Sequence, residues 1–280
     1  MKFADVFYHS IDGLRLYARD YSGPQDESPP IFCMPGLTRN SKDFAKLAEH
    51  LCERYRVICP DLRGRGRSER DSDPKRYRPD VYVADMWTLA DLLRLEHFSC
   101  IGTSLGGLMA IMMTAQAPAR IDRVVINDIG PEIDPKGIAR ISSYVGKTGP
   151  VANWKDAARQ TAEINGIAFP DYTAADWMDM ARNVYIQNGT APVLDYDQQI
   201  SVGLADGSAA PNLWPLFSVL ALKPLLAVRG GLSDLLSENT FAEMSRRLPN
   251  LVPVVVPSRG HAPTLTEPDV LPAIDRFFAG

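Results

Sequence analysis

Short apolar runs bounded by turn residues alternate with longer amphipathic stretches through the first half of the chain. Phe3 to His9 and Leu14 to Tyr21 predict two strands around Asp12-Gly13, a dipeptide suited to a tight hairpin turn. A polar, proline-containing loop follows over residues 23–30. Ile31-Phe-Cys-Met34 is a short apolar run that stops at Pro35-Gly36 and predicts a buried strand. Phe44, Leu47, Ala48 and Leu51 recur at helical spacing, which predicts a helix from Ser41, as N-cap, to Tyr55. Arg56-Val-Ile-Cys59 predicts the next strand. Asp80 to Leu95 predicts an amphipathic helix carrying Val83, Met86, Trp87, Ala90 and Leu93. Phe98 to Ile101 and Arg123 to Asp128 predict two further buried strands, separated by the helix-forming stretch Leu108 to Gln116.

A hairpin followed by alternating strand and helix implies an α/β fold. Its central sheet should be open and mostly parallel, of about eight strands, with helices on both faces. Ligands of such sheets sit beyond the carboxyl ends of the strands, where Pro35-Gly36, Ser104 and Asp128 all fall. The rhythm then breaks. Residues 132–215 read as mainly helical, with Gly and Pro punctuation and no convincing buried strand, and they contain Trp154, Phe169, Tyr172, Trp177, Tyr185 and Trp214. This stretch is expected to be a helical cap inserted over the sheet, leaving 1–131 and 216–280 as the core. The strand pattern resumes at Pro224 to Val228 and Leu251 to Val256. Pro253 inside the second run points to a sheet edge. A helix over Asp269 to Phe278 closes the chain.

The composition, 45% hydrophobic and 23% charged over 280 residues, is that of an ordinary globular protein. A net charge of −4 gives no electrostatic footprint for nucleic acid. The run Arg63-Gly-Arg-Gly-Arg67 lies among Asp61, Glu69, Asp71 and Asp73 and reads as a turn. Of the cysteines, Cys33, Cys59 and Cys100 sit in strand-like runs, Cys52 lies elsewhere, and no metal-ligand spacing occurs. No signal-peptide core or membrane-spanning run is visible. The expectation is a cytoplasmic monomer or homodimer that acts on a small molecule, with no metal, cofactor, nucleic-acid or membrane partner.

The candidate chemistry centres on Phe98-Ser-Cys-Ile-Gly-Thr-Ser-Leu-Gly-Gly107. A strand, Gly-x-Ser-x-Gly and a helix are the context of a nucleophile elbow, in which Ser104 sits on a sharp turn with its hydroxyl clear of the sheet. A serine hydroxyl needs a base. His9, His50 and His97 lie in a hairpin, on a helix and at a helix end. His261 lies in Pro257-Ser-Arg-Gly-His-Ala-Pro263, beyond the last strand, and is the candidate base. The base needs a carboxylate on its other nitrogen. Asp234, beyond the strand that ends at Val228, is the first choice, and Asp128, beyond the preceding strand, is the alternative. Two backbone donors should face the developing oxyanion, the N–H of Leu105 after the nucleophile and the N–H of Leu37 in the loop after the third strand. Arg39, which follows that loop, is a candidate contact for a substrate carboxylate, with a solvated arginine as the plainer reading.

Met34-Pro-Gly-Leu37, Asp61-Leu-Arg-Gly-Arg-Gly-Arg-Ser68, Gly102-Thr-Ser-Leu-Gly106, Ser233-Asp234 and Gly260-His261 occur in an order that resembles the α/β-hydrolase superfamily over nearly the whole chain. The chain departs from that pattern in having Pro35 where a histidine is usual. Its serine nucleophile argues against the branches that attack through aspartate. The resemblance implies attack of Ser104 on a carbonyl with His261 as base, an acyl-enzyme released by water, and no cofactor or metal. It implies cleavage of a small or medium carboxylic ester or lactone. The alternatives are a carbon–carbon bond hydrolase of a ring-cleavage product and a ligand-binding receptor on a hydrolase scaffold.

Overall fold

The computed structural model describes residues 3–24, 29–204 and 212–280. Its central sheet is built from β1 (Phe3–His9), β2 (Arg15–Tyr21), β3 (Ile31–Met34), β4 (Val57–Asp61), β5 (Phe98–Thr103), β6 (Ile121–Asn127), β9 (Leu225–Gly230) and β10 (Leu251–Val256). They lie in the order β1-β2-β4-β3-β5-β6-β9-β10. The hairpin strands β1 and β2 pair antiparallel, and β2 meets β4 antiparallel. From β4 to β10 every pairing is parallel. The strand containing Pro253 lies at the sheet edge, where a missing N–H interrupts no ladder on its open side.

The helices cover both faces because the central strands are apolar on both. Cys100, Val124, Ile126, Leu225 and Ala227 pack to one side, with Met86 and Leu89 of α2 (Pro79–Leu92) and Met109 and Met113 of α3 (Leu105–Gln116). The intervening residues Ile101, Val125, Leu226 and Val228 pack to the other, with Leu47 and Leu51 of α1 (Ala45–Leu51) and Ile274 and Phe278 of α9 (Leu271–Ala279). Two helix ends differ from the sequence reading. Ser41 is buried and its N–H is taken by the Asp61 carboxylate at 2.7 Å, so the capping role passes to Asn40, whose side chain accepts from the Lys42 N–H. The chain first makes a 3-10 turn over Ser41–Phe44, and α1 is correspondingly short. Helix α2 ends at Leu92 rather than Leu95 because Arg94 turns into the left-handed region at φ 55°.

Between β6 and β9 the chain leaves the sheet and forms α4 (Pro135–Tyr144), α5 (Trp154–Asn165) and α6 (Ala174–Val184). Helices α5 and α6 share a small apolar cluster of Val151, Ala157, Ala158, Ala181 and Tyr185. A hairpin of β7 (Tyr185–Asn188) and β8 (Ala191–Leu194) follows, then the short α7 (Trp214–Phe217). The hairpin is an addition to the helical expectation. Its strands are only four residues each and largely exposed, β8 (Ala-Pro-Val-Leu) contains a proline that argues against a strand, and its signal is the Asn188-Gly189 turn, with Gly189 at φ 57°. Residues 205–211 of the expected cap, and 25–28 of the expected polar loop, lie outside the described residues. Beyond β9, α8 (Glu238–Arg247) leads to β10.

The closest approach in the core is at the β5–α3 turn. A methyl group on Gly102 would lie 2.2 Å from the Gly106 carbonyl oxygen, and one on Gly106 would lie 2.0 Å from the Met34 carbonyl oxygen. Backbone atoms on both sides cannot yield locally. Gly106→Ala is therefore expected to cost about 3 kcal/mol or more, as overpacking against immovable neighbours does. Gly149 is the control, because a methyl group there would meet nothing within 4 Å. Urea unfolding midpoints should fall for Gly106→Ala and stay close to wild type for Gly149→Ala. Equal midpoints would contradict the packing described.

Candidate active site

Ser104 stands at the junction of β5 and α3 with φ 53° and ψ −115°, a conformation that an L-residue adopts only when its surroundings impose it. The surroundings here are the two glycines, which let the turn close, and the neighbouring strand. The Ser104 N–H donates to the Asn127 carbonyl at the end of β6 at 2.9 Å. Helix α3 starts at Leu105, so the Leu105 N–H has no acceptor within its own helix and points with the positive end of the helix dipole.

His261 reaches this serine from the loop after β10. Its Nε2 lies 2.9 Å from Ser104 Oγ, and its Nδ1 lies 2.7 Å from Asp128 Oδ2. A carboxylate can only accept, so Nδ1 carries the proton and Nε2 is left as the acceptor for the serine hydroxyl. The loop is fastened on both sides of the imidazole. The Gly260 N–H donates to the Ala168 carbonyl at 2.8 Å, and Asn127 Nδ2 donates to the Pro263 carbonyl at 2.7 Å and to Thr103 Oγ1 at 3.0 Å. Of the other histidines, His50 pairs with Asp275 and His97 lies near Asp122, both remote from this chain of bonds.

The carboxylate against His261 is that of Asp128, and the first choice, Asp234, is corrected accordingly. Asp128 is fully buried at the end of β6, with φ 55°. Its Oδ1 accepts from the Gly230 N–H at 2.8 Å, and its Oδ2 accepts from Ser233 Oγ at 2.6 Å as well as from His261. Ser233 Oγ itself accepts from the N–H groups of Leu235 and Leu236, which directs its one proton to Asp128. Asp234 turns the other way, toward α4. Its Oδ2 and Oδ1 take Arg140 Nε at 2.5 Å and Nη2 at 2.9 Å. Burial alone would raise the Asp234 carboxyl, but the Arg140 guanidinium outweighs it and brings the carboxyl below its ordinary value. Asn127 is thus a residue beside the site that motif reading passed over, and Ser233, quoted only as part of Ser233-Asp234, is a donor to Asp128. The available signal was Asn127-Asp128 itself, two polar residues closing an apolar strand.

A cavity of about 450 Å³ opens over Ser104 and His261. Gly36, Leu37 and Thr38 line it from the loop after β3. Ile141, Tyr144, Thr148, Ile164, Phe169 and Tyr196 line it from the segment between β6 and β9. Burial raises the Tyr144 and Tyr172 phenols, the latter to about 12, so both remain neutral hydrogen-bonding groups at physiological pH. Arg39 also lines the cavity. It is not a free solvated cation, because Asp43 binds its Nε at 2.5 Å and its Nη2 at 2.7 Å. Among the described residues, no group of three or more His, Cys, Asp or Glu side chains is placed to hold a metal ion, and no helix is long and apolar enough to cross a membrane.

The chain is similar to several known proteins. A 3-hydroxybutyrate-oligomer hydrolase of Cupriavidus necator is 34% identical over 98% of this chain and 97% of its own length. A 2-(acetamidomethylene)succinate hydrolase of Mesorhizobium japonicum is 28% identical over 89% of this chain and 87% of its own. The crystal structure of an alpha/beta hydrolase from Novosphingobium aromaticivorans superposes with a TM-score of 0.94 at 41% identity, covering 99% of this chain and 98% of that one. The family model for the alpha/beta hydrolase fold matches residues 29–268, which contain the elbow, the buried carboxylate and the histidine loop. The chain belongs to the alpha/beta hydrolase fold family and is a hydrolase.

Proposed function

We propose that this hydrolase cleaves short esters of hydroxy acids through an acyl-enzyme on Ser104. The reading rests on one observation above all: the unbroken chain of hydrogen bonds from buried Asp128 through His261 to Ser104 at the floor of a cavity. In this mechanism Ser104 Oγ attacks the ester carbonyl while its proton passes to His261 Nε2. Asp128 holds the tautomer and stabilises the imidazolium that forms. The N–H groups of Leu37 and Leu105 bind the tetrahedral oxyanion. The imidazolium then protonates the departing alkoxide, and a water activated by the same nitrogen releases the acid. Residues 132–215 act as the cap that closes the pocket.

Two features support the substrate class. The cavity volume suits a short chain, and its lining alternates Ile141, Ile164 and Phe169 with the hydroxyl groups of Tyr144, Thr148 and Tyr196. That mixture matches a branched chain carrying repeated ester oxygens better than a long alkyl chain. The similarity to a 3-hydroxybutyrate-oligomer hydrolase supports the same class.

Ser104→Ala should abolish turnover while leaving the fold intact, as read by rate and circular dichroism. Asp128→Asn presents the wrong tautomer to Ser104 and should lower kcat by about 10³ to 10⁴. Asp234→Asn, which loses only its pair with Arg140, should stay within about fivefold of wild type. The opposite ranking of the two asparagine variants would reject Asp128 as the acid. A substrate panel tests the specificity. Dimers and trimers of 3-hydroxybutyrate should exceed long-chain acyl esters by about 100-fold in kcat/KM. Turnover confined to a diketone ring-cleavage product would reject the ester reading.

A further inference from the structure

The loop that carries Leu37 has little of its own to hold it. Pro35 has no N–H, Gly36 has no side chain, and the loop's internal tie is the turn bond from the Arg39 N–H to the Gly36 carbonyl at 3.1 Å. A second tie comes from outside. Arg65 Nε donates to the Leu37 carbonyl at 2.9 Å. These two bonds act on the two peptide planes that flank the Leu37 Cα. In a trans peptide the N–H points opposite to the C=O. Fixing the Gly36 carbonyl toward Arg39 therefore aims the Leu37 N–H the other way, and fixing the Leu37 carbonyl holds the second plane against rotation. A methyl group on Gly36 would lie 3.8 Å from Ser104 Cβ, so this loop is the backbone adjacent to the proposed nucleophile.

Arg65 is built to be immobile. It is 1% exposed. Its Nη1 donates to the Arg63 carbonyl at 2.6 Å and to the Tyr82 hydroxyl at 3.1 Å, and its guanidinium lies over the rings of Tyr77 and Tyr82. Arg63, which supplies that carbonyl, is itself locked by Asp12, Asp71 and Asp85. Among the described residues Arg65 forms an ion pair with no carboxylate, and its Nη2 is buried without a hydrogen-bond partner. A buried cation without a counter-charge is expensive for stability alone. Beside a loop that must receive negative charge, it is useful.

We infer that Arg65 is a positioning residue for the oxyanion donor at Leu37. It fixes the donor peptide through the Leu37 carbonyl and places an uncompensated positive charge behind it. The inference rests on the acyl-transfer reading above, and its test separates the two. Wild type, Arg65→Gln and Tyr82→Phe are assayed on a short oxyester and on its thionoester, whose carbonyl sulfur gains much less from N–H donors. For Arg65→Gln, kcat on the oxyester should fall by about 10- to 100-fold, part of the loss seen when an oxyanion donor is removed outright, with KM within about twofold. The thionoester rate should fall by less than about threefold. Tyr82→Phe keeps the ring and removes only the brace on Nη1, so it should show a smaller loss, also confined to the oxyester. It carries the test alone if Arg65→Gln does not fold. Equal losses on the two esters, or no loss in either variant, would overturn the inference. A wild type that cleaves neither ester would overturn the acyl-transfer reading, and the inference with it.

Discussion

A carboxylate with no access to water must have its charge met by donors, and Asp128 meets this demand with three: the Gly230 N–H, the Ser233 hydroxyl and the His261 imidazole. Gly230 and Ser233 come from the end of β9 and the turn after it, and His261 from the loop after β10, so the demand of one side chain gathers these two segments and β6 at one point. The same strand end also receives the Ser104 N–H on the Asn127 carbonyl, and Asn127 Nδ2 ties the histidine loop to Thr103. The geometry at Ser104 is therefore fixed by buried bonds to Asn127 and Asp128 rather than by the conformation of any loop alone.

The fold was largely legible because two-sided burial writes itself into the chain as apolar runs. Ile101, Val125, Leu226 and Val228 face one layer while Cys100, Val124, Ile126 and Ala227 face the other, so the central strands appear as continuous stretches. Ser104 and His261 were legible for a related reason. Each stands at the carboxyl end of a parallel strand in a glycine-marked turn, whereas His9 ends the antiparallel hairpin strand β1. The carboxylate partner of His261 was not, because Asp128 and Asp234 follow adjacent strands and sequence does not tell which way a side chain turns after a strand ends. What decides is Arg140, distant in sequence, which takes Asp234, and Ser233, next door, which bonds Asp128. The β7–β8 hairpin escaped because its strands are four residues each, the second carries Pro192, and the clearest signal is Asn188-Gly189.

The arginine-rich turn misleads in a different way. Charge density suggests surface, and the reading of Arg63 to Arg67 as a turn survives, yet Arg63 and Arg65 are among the largest fully buried side chains of the protein. Gly64 at φ 76° and Gly66 at φ 55° set the backbone so that both arginines point inward. Gly66 is also pressed against the Asp61 carboxylate, where a methyl group would lie 2.1 Å from its Oδ2. Arg63 then joins the β1–β2 turn through Asp12 to α2 through Asp85, while Arg65 reaches the loop after β3. The turn is a polar core, whose bonds run between elements that also meet in the apolar layer of Tyr8, Leu16, Val83 and Met86.

The residue that lost the competition for the histidine has a use that follows from where it sits. Asp234 lies beside Ser233, one position from the donor to Asp128, and its pair with Arg140 ties α4, the first helix of the segment between β6 and β9, to the turn after β9. A second tie acts at the histidine loop, where Arg259 lies over the rings of Phe169 and Tyr172, pairs with Asp171, and precedes Gly260-His261. The segment that lines the cavity is therefore anchored at the two turns that also carry Ser233 and His261. It is tied elsewhere as well, through Lys42 to Asp195 and through the Tyr77 hydroxyl to Asp197, so its hold on the sheet does not depend on one pair. The residues that line the cavity and the residues that bond Asp128, His261 and Ser104 to one another are thus different sets that meet at the turn after β9 and the loop after β10.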